Sequence, residues 1–143
     1  MSFECHLNKL TFECTFSADI SLVDRTVAKV EQFLNDRCSS KIFFNITILL
    51  REALNNAIFH GAGQDKSLLV SCSAYLENNR VIFVVISPGV GFPWEKCIDK
   101  DPTGSTSQSG WGMFLIKQYS DGFEYDDSGR ELKFWVNLSE NDI

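Results

Sequence analysis

The sequence predicts an α+β fold: a two-layer sandwich in which a mixed or mainly antiparallel sheet is covered on one face by three helices. Three observations carry this reading. Strand-like segments come in pairs joined by turn signals instead of alternating strictly with helices. Two helix-length segments lie between the first strand and the middle hairpin. A third, shorter helical pattern precedes the last hairpin. The expected order is β-α-α-β-β-loop-α-β-β, in one domain spanning residues 1–143 with no internal repeat.

Leu7 to Phe16 alternates apolar Leu10, Phe12, Cys14 and Phe16 with polar Thr11, Glu13 and Thr15, the pattern of a half-buried strand. His6 falls before it, in a start expected to be disordered. Ser17-Ala18-Asp19 breaks the strand, and Asp19 or Ser21 can cap a helix whose apolar positions are Leu22, Val23, Val27, Val30, Phe33 and Leu34. After the polar break Asp36 to Ser40, a second helix runs from about Lys41 to Phe59 and stops at Gly61. Its first part, Ile42 to Leu50, is apolar almost all round and should be deeply buried. Ser67 to Glu77 and Arg80 to Ser87 read as strands joined by a tight turn at Asn78-Asn79. Pro93 to Ser109 is a polar loop with the character of a lid. Gly110 to Ser120 is an amphipathic helix, and Phe123 to Tyr125 with Glu131 to Leu138 make a final hairpin around Asp127-Ser128-Gly129.

The chain has 143 residues, 44% of them hydrophobic, enough for a real core. A net charge of −6 argues against nucleic acid as a partner, since phosphate needs a basic face. The first residues lack the basic and apolar segments of a signal peptide. No apolar run approaches the roughly 20 residues of a membrane span, so neither membrane insertion nor secretion is expected. Five scattered cysteines without a CxxC pair, and two histidines, make a zinc site or a disulfide framework unexpected. Reduced thiols in a cytoplasmic protein are the expectation.

Three pieces carry chemistry. In Arg51-Glu52-Ala53-Leu54-Asn55-Asn56-Ala57-Ile58-Phe59-His60-Gly61, Glu52 and Asn56 are four residues apart and share a helical face, flanked by Asn55 and His60. A carboxylate and a carboxamide on an otherwise apolar helix need a partner, and a hydrated Mg²⁺ with phosphate oxygens is one sensible choice. A solvated helix edge is the alternative. The second piece is Ile86-Ser87-Pro88-Gly89-Val90-Gly91-Phe92, after an apolar strand; its glycines allow a sharp turn and close backbone approach. The third is Gly110-Trp111-Gly112-Met113, at a helix start whose free N–H groups suit an anion.

In that order and spacing the three pieces resemble the Bergerat-fold ATPases, the superfamily of gyrase, heat-shock chaperones, mismatch-repair ATPases and sensor histidine kinases. Within it the chain looks most like the single-domain anti-sigma-factor serine/threonine kinases, over about Leu7 to Leu138. The resemblance implies ATP and Mg²⁺ as cofactors, Glu52 as general base and Asn56 as Mg²⁺ ligand, with Asn55 and His60 beside them. It implies an adenine turn at Ser87, Gly89, Gly91 and Phe92, and a phosphate turn at Gly110 and Gly112 followed by Met113. The family pattern is Asp-x-Gly-x-Gly-Phe, and here Ser87 takes the place of Asp. A serine hydroxyl accepts a hydrogen bond from the adenine amino group without the charge that roughly doubles its strength. That exchange permits weaker ATP affinity, altered base preference or loss of nucleotide binding. The lid holds only Lys96 and Lys100 as cations. By analogy the partners would be an anti-anti-sigma antagonist protein and a sigma factor or similar regulator, and the resembling kinases are usually homodimers. A nucleotide-free interaction module, and a detached ATPase domain working with a separate phosphotransfer protein, are the alternatives.

Overall fold

The sheet is built from three hairpins laid side by side. β1 (Phe3–Leu7) and β2 (Thr11–Ser17) form the first, β3 (Leu69–Glu77) and β4 (Arg80–Ile86) the second, β5 (Gly122–Tyr125) and β6 (Glu131–Asn137) the third. The computed structural model describes residues 2–89 and 108–139, with the backbone alone for 108–113. Strand order is β1-β2-β3-β4-β6-β5, and every pairing among the described residues is antiparallel. Among the described residues three α-helices accompany it: α1 (Val23–Leu34), α2 (Ser40–Asn56) and α3 (Gln108–Tyr119). The α+β sandwich read from the sequence is the fold observed.

One face of the sheet meets the helices. Phe12, Ala74, Phe83 and Phe134 stand opposite one another across β2, β3, β4 and β6 and are all buried. Phe83 and Phe134 stack with centroids 5.2 Å apart, and Phe12 meets Phe33 of α1 at 5.8 Å. Val27, Val30, Phe33 and Leu34 of α1 and Ile46, Leu49, Leu50 and Leu54 of α2 complete this core. At spacings of three and four, each set forms one helical stripe.

The caps follow their local chemistry. The Asp19 carboxylate accepts the Ser21 N–H at 2.9 Å, starting the short 3₁₀ turn that leads into α1. Ser39 Oγ accepts the Ile42 N–H at 3.2 Å and caps α2. Asn78 and Asn79 have φ of +53° and +60°, so the middle hairpin turns through the mirror-image conformation that matches strand twist.

Four expectations need correction. The first strand is two strands: Asn8 Oδ1 accepts the N–H groups of Leu10 and Thr11, a side-chain turn that separates β1 from β2. Among the described residues the order is therefore β-β-α-α-β-β-α-β-β, and His6 lies in β1 opposite Glu13. Second, Cys5 and Cys14 stand opposite each other in that hairpin and form a disulfide, while Cys38 and Cys72 are free thiols. Proximity set by the hairpin decides this pairing. Third, the start of α2 is not buried all round: Ile46, Leu49 and Leu50 are inside, but Phe44 is 62% exposed. Fourth, α2 ends at Asn56, and Ala57–Gly61 continues as one π turn in which the Ala62 N–H reaches the Ala57 carbonyl at 2.9 Å. Together Ser40–Gly61 make a 22-residue run apolar enough for a membrane span by length and composition, although half of it is buried within this fold. That burial is what a core helix shows.

Candidate functional site

α2 ends beside the open ends of β4 and β6, and a recess of about 240 Å³, adjoining solvent included, lies between them. Its walls are Ala53, Asn56 and Ala57 from the helix, Val85 and Ser87 from the β4 end, and Tyr125, Gly129, Arg130 and Leu132 from the last hairpin. Ala53, Asn56 and Ala57 are spaced i, i+3, i+4, so they form one face, and the two alanines keep that wall low around the Asn56 amide. Two of the sequence-predicted residues, Asn56 and Ser87, thus meet in one cavity.

Asn56 is 8% exposed, and its Nδ2 has no hydrogen-bond partner among the described residues. The neighbouring Asn55 also has a buried amide atom, Oδ1, without a partner. Buried polar atoms are normally satisfied, so an unpaired amide in a recess is the mark of a site that takes a ligand or water. Ser87 is 6% exposed; its N–H donates to the Arg130 carbonyl at 2.8 Å. Its hydroxyl reaches the Pro88 carbonyl only at 3.5 Å, the outer limit of a hydrogen bond, and so keeps capacity for a stronger partner.

Glu52 lies one turn before Asn56, half-buried and outside the recess walls. Burial pushes its carboxyl above the ordinary value. His60 sits half-buried in the π turn, and burial holds its imidazole below the ordinary value. A π turn at the end of a core helix rotates the residues after it relative to α-helical continuation, and such turns concentrate at functional sites.

Gly89 has φ +85°, and a Cβ there would stand 2.8 Å from the Gly61 carbonyl oxygen. The close approach that this glycine permits is thus to the end of the π turn, tying the Ser87 turn to the Asn56 helix. Gly89→Ala is expected to cost about 1–3 kcal/mol from left-handed backbone strain and that contact. Urea unfolding checks it; an unchanged midpoint would show that the turn moves freely away from Gly61.

Gly91 and Phe92, and the expected lid up to residue 107, lie outside the described residues. Gly110 and Gly112 are within α3, which begins two residues earlier than expected, so Gly110 belongs to its first turn and Gly112 to the start of its second. Met113 follows them in the same helix, where only its backbone is described. α3 packs against α2, the helix carrying Glu52 and Asn56.

The far wall was not foreseen. Asp126 shapes it: its carboxylate accepts N–H groups from Glu131 at 3.1 Å and Arg130 at 3.0 Å and the Ser128 hydroxyl at 2.9 Å. These bonds, the one from Glu131 first, hold the carboxyl below its ordinary value. Arg130 and Leu132 reach the site only because β4 pairs with β6, placing Val85 opposite Leu132.

The described residues offer carboxamides, which a hydrated Mg²⁺ would accept as ligands. Among the described residues, no cluster of three or more His, Cys, Asp or Glu could hold a metal by itself. A cation here would rest on one amide oxygen, phosphate oxygens and water, which is how Mg²⁺ is commonly held. Rotation of the Asn56 amide about Cβ–Cγ presents Oδ1 in place of Nδ2.

A family model described as "Histidine kinase-like ATPase domain" matches residues 16–136. No curated protein matches the chain. The matched span begins near the end of β2 and covers β3, β4, β5, the three described helices, all but the last residue of β6 and every residue of the recess.

Proposed function

The chain belongs to the histidine kinase-like ATPase domain family, and from that premise we propose that it is an anti-sigma-type protein serine/threonine kinase. Membership supports ATP as cofactor, an ATP-binding regulatory protein and, in general terms, an ATP-using enzyme. The step from there to a kinase acting on a small antagonist protein rests on the resemblance of the motifs. The observation that supports a ligand site here is the buried Asn56 amide, unpaired in a recess that also holds Ser87.

In this reading Asn56 and Asn55 face the nucleotide, Ser87 meets the base, and the first turn of α3, which holds Gly110, offers free backbone N–H groups to phosphate. Mg²⁺, when bound at Asn56, would neutralise phosphate charge. Glu52 takes the proton from the attacking serine or threonine hydroxyl. The γ-phosphorus–oxygen bond to ADP breaks as the bond to the acceptor oxygen forms. Positioning and charge neutralisation supply most of the acceleration.

Glu52 must be ionised to act. Its raised pKa means that transfer rises as pH climbs through a value above the ordinary 4.5 and then levels off. The same shift makes the folded state bind its proton more tightly than the unfolded chain, so this group's contribution to stability falls as pH rises through that window.

The test has two arms. Calorimetric titration with ATP and Mg²⁺ should show binding, tightened in Ser87→Asp. Label from γ-³²P-ATP should then appear on serine or threonine of an antagonist protein with the native chain, and fall at least a hundredfold with Glu52→Gln. Absence of ATP binding in both forms would overturn the reading. Binding without transfer to any antagonist protein would leave an ATP-binding interaction module in its place.

A further inference from the structure

Cys5, Cys14 and Cys72 occupy one row across three adjacent strands: Cys5 of β1 stands opposite Cys14 of β2, which stands opposite Cys72 of β3. Opposed residues in a sheet share a face, here the one toward the helices, where Cys14 and Cys72 are 1% and 0% exposed. The disulfide joins the first pair and leaves Cys72 a free thiol on the other side of Cys14. We propose that the three cysteines form a thiol–disulfide exchange site, in which Cys14 pairs either with Cys5, latching β1 to the sheet, or with Cys72, releasing it.

The backbone allows both pairings. Ser17 donates its N–H to the Ser2 carbonyl, so the alternation of an antiparallel pair makes Cys5 and Cys14 a non-hydrogen-bonded pair, with Cα atoms 4.1 Å apart. The N–H and C=O of Cys14 then point to β3, which makes Cys14 and Cys72 the wider, hydrogen-bonded kind of pair, about 5.5 Å between Cα atoms. That spacing lies within the range disulfides span, about 4.4–6.8 Å. Sγ of Cys14 therefore has one potential partner on each side, in the same row.

The exchange balances without an outside reagent. The Cys72 thiolate attacks Cys14 Sγ, the bond to Cys5 Sγ breaks, and Cys5 leaves as thiolate and takes up the proton that Cys72 gave to solvent. One disulfide and one thiol stand on each side of the equation, with no net oxidation. Burial pushes the Cys72 thiol up to about 12, so exchange is slow in the closed sheet and proceeds when the strands open.

Release would matter most at β1, which has no fully buried residue. Besides its ladder and the disulfide, β1 is held by the Ser2 N–H to Ser17 Oγ bond at 2.9 Å, by Phe3 against Phe16, and by the Arg25 guanidinium 4.1 Å above the Phe3 ring. Losing β1 turns the seven-residue β2 into the sheet edge.

The full chain, purified without reductant, is incubated at pH 8.5 with iodoacetamide, and its linked peptides are mapped by mass spectrometry. Initially the Cys5–Cys14 peptide is expected. With time a Cys14–Cys72 peptide should appear, Cys5 should become alkylated, and amides of β1 should lose hydrogen-exchange protection. Cys72→Ala, a small apolar exchange chosen to keep the fold, should slow Cys5 alkylation at least tenfold, while Cys38→Ala leaves it unchanged. A starting protein without the Cys5–Cys14 link, a Cys14–Cys72 peptide that never forms, equal Cys5 alkylation in Cys72→Ala, or continued protection of β1 after exchange would each overturn the proposal.

Discussion

Phe83→Ala is expected to destabilise the fold by about 3–5 kcal/mol, the largest effect on stability that the core offers. Phe83 is fully buried at the middle of the sheet, stacked on Phe134 at 5.2 Å and flanked by Ala74 on the other side. Alanine would remove the ring and leave a cavity, because α1 and α2 rest on a sheet whose hydrogen-bond ladders stop it from collapsing inward. Domains of this size hold about 5–15 kcal/mol in total, so roughly a fifth or more of the stability goes. The small neighbour Ala74 cannot fill the gap, and Phe134 loses its stacking partner at the same time. Urea unfolding measures the loss, with the slope unchanged. The double variant with Phe134→Ala should fall short of the sum of the two by about 0.5–1.5 kcal/mol, the worth of an aromatic pair beyond its area. A loss under about 1 kcal/mol for Phe83→Ala would mean that the helical layer closes over the site, and that the two layers are not held at fixed separation.

The same core explains how much of the molecule could be read from its residues. Phe12, Phe33, Leu49, Phe83 and Phe134 sit in segments whose periods of 2 and 3.6 are plain, so the helices and middle strands follow from pattern alone. Asn78-Asn79 announces its turn, since asparagine tolerates positive φ. β1 carries the same signal in Phe3, Cys5 and Leu7, but half-buried edge residues leave a weak alternation, and Asn8 looks like an interruption of one strand more than a turn between two. The disulfide was hidden for that reason: Cys5 and Cys14 are nine residues apart, and only the hairpin makes them neighbours.

The site divides in the same way. Asn56 and Ser87 were legible because each sits in a local pattern, a helix face and a strand end. Arg130, Leu132 and Tyr125 were not, since their place depends on β4 pairing with β6 across more than forty residues of chain. The π turn after Asn56 left no sign either. Ala57-Ile58-Phe59-His60 continues the helical pattern, and no residue in it marks the widened turn.

Asn56→Ala is the substitution with the largest expected effect on function: Mg²⁺-ATP affinity should fall by about 10–100-fold, the range seen when a supporting group at a metal site is lost. Its effect on the nucleotide-free protein should have the opposite sign. A buried amide atom without a partner costs roughly 1–3 kcal/mol of desolvation, and Asn56 Nδ2 is such an atom. Removing it should leave the free protein as stable as the native chain or more so, while the stabilisation gained on adding Mg²⁺-ATP shrinks. Thermal unfolding with and without ligand reads both quantities in one experiment, because a ligand that binds only the folded state adds RT ln(1 + [L]/Kd). The opposed signs separate two roles that a binding assay alone would merge. A residue kept for packing loses stability when truncated and affects ligand only in proportion. A residue kept for a ligand is a liability until the ligand arrives, and its loss relieves the empty fold. Should Asn56→Ala unfold more easily without nucleotide and bind Mg²⁺-ATP as tightly as before, Asn56 would be a structural residue, and the recess it shares with Ser87 would have no claim on the phosphates.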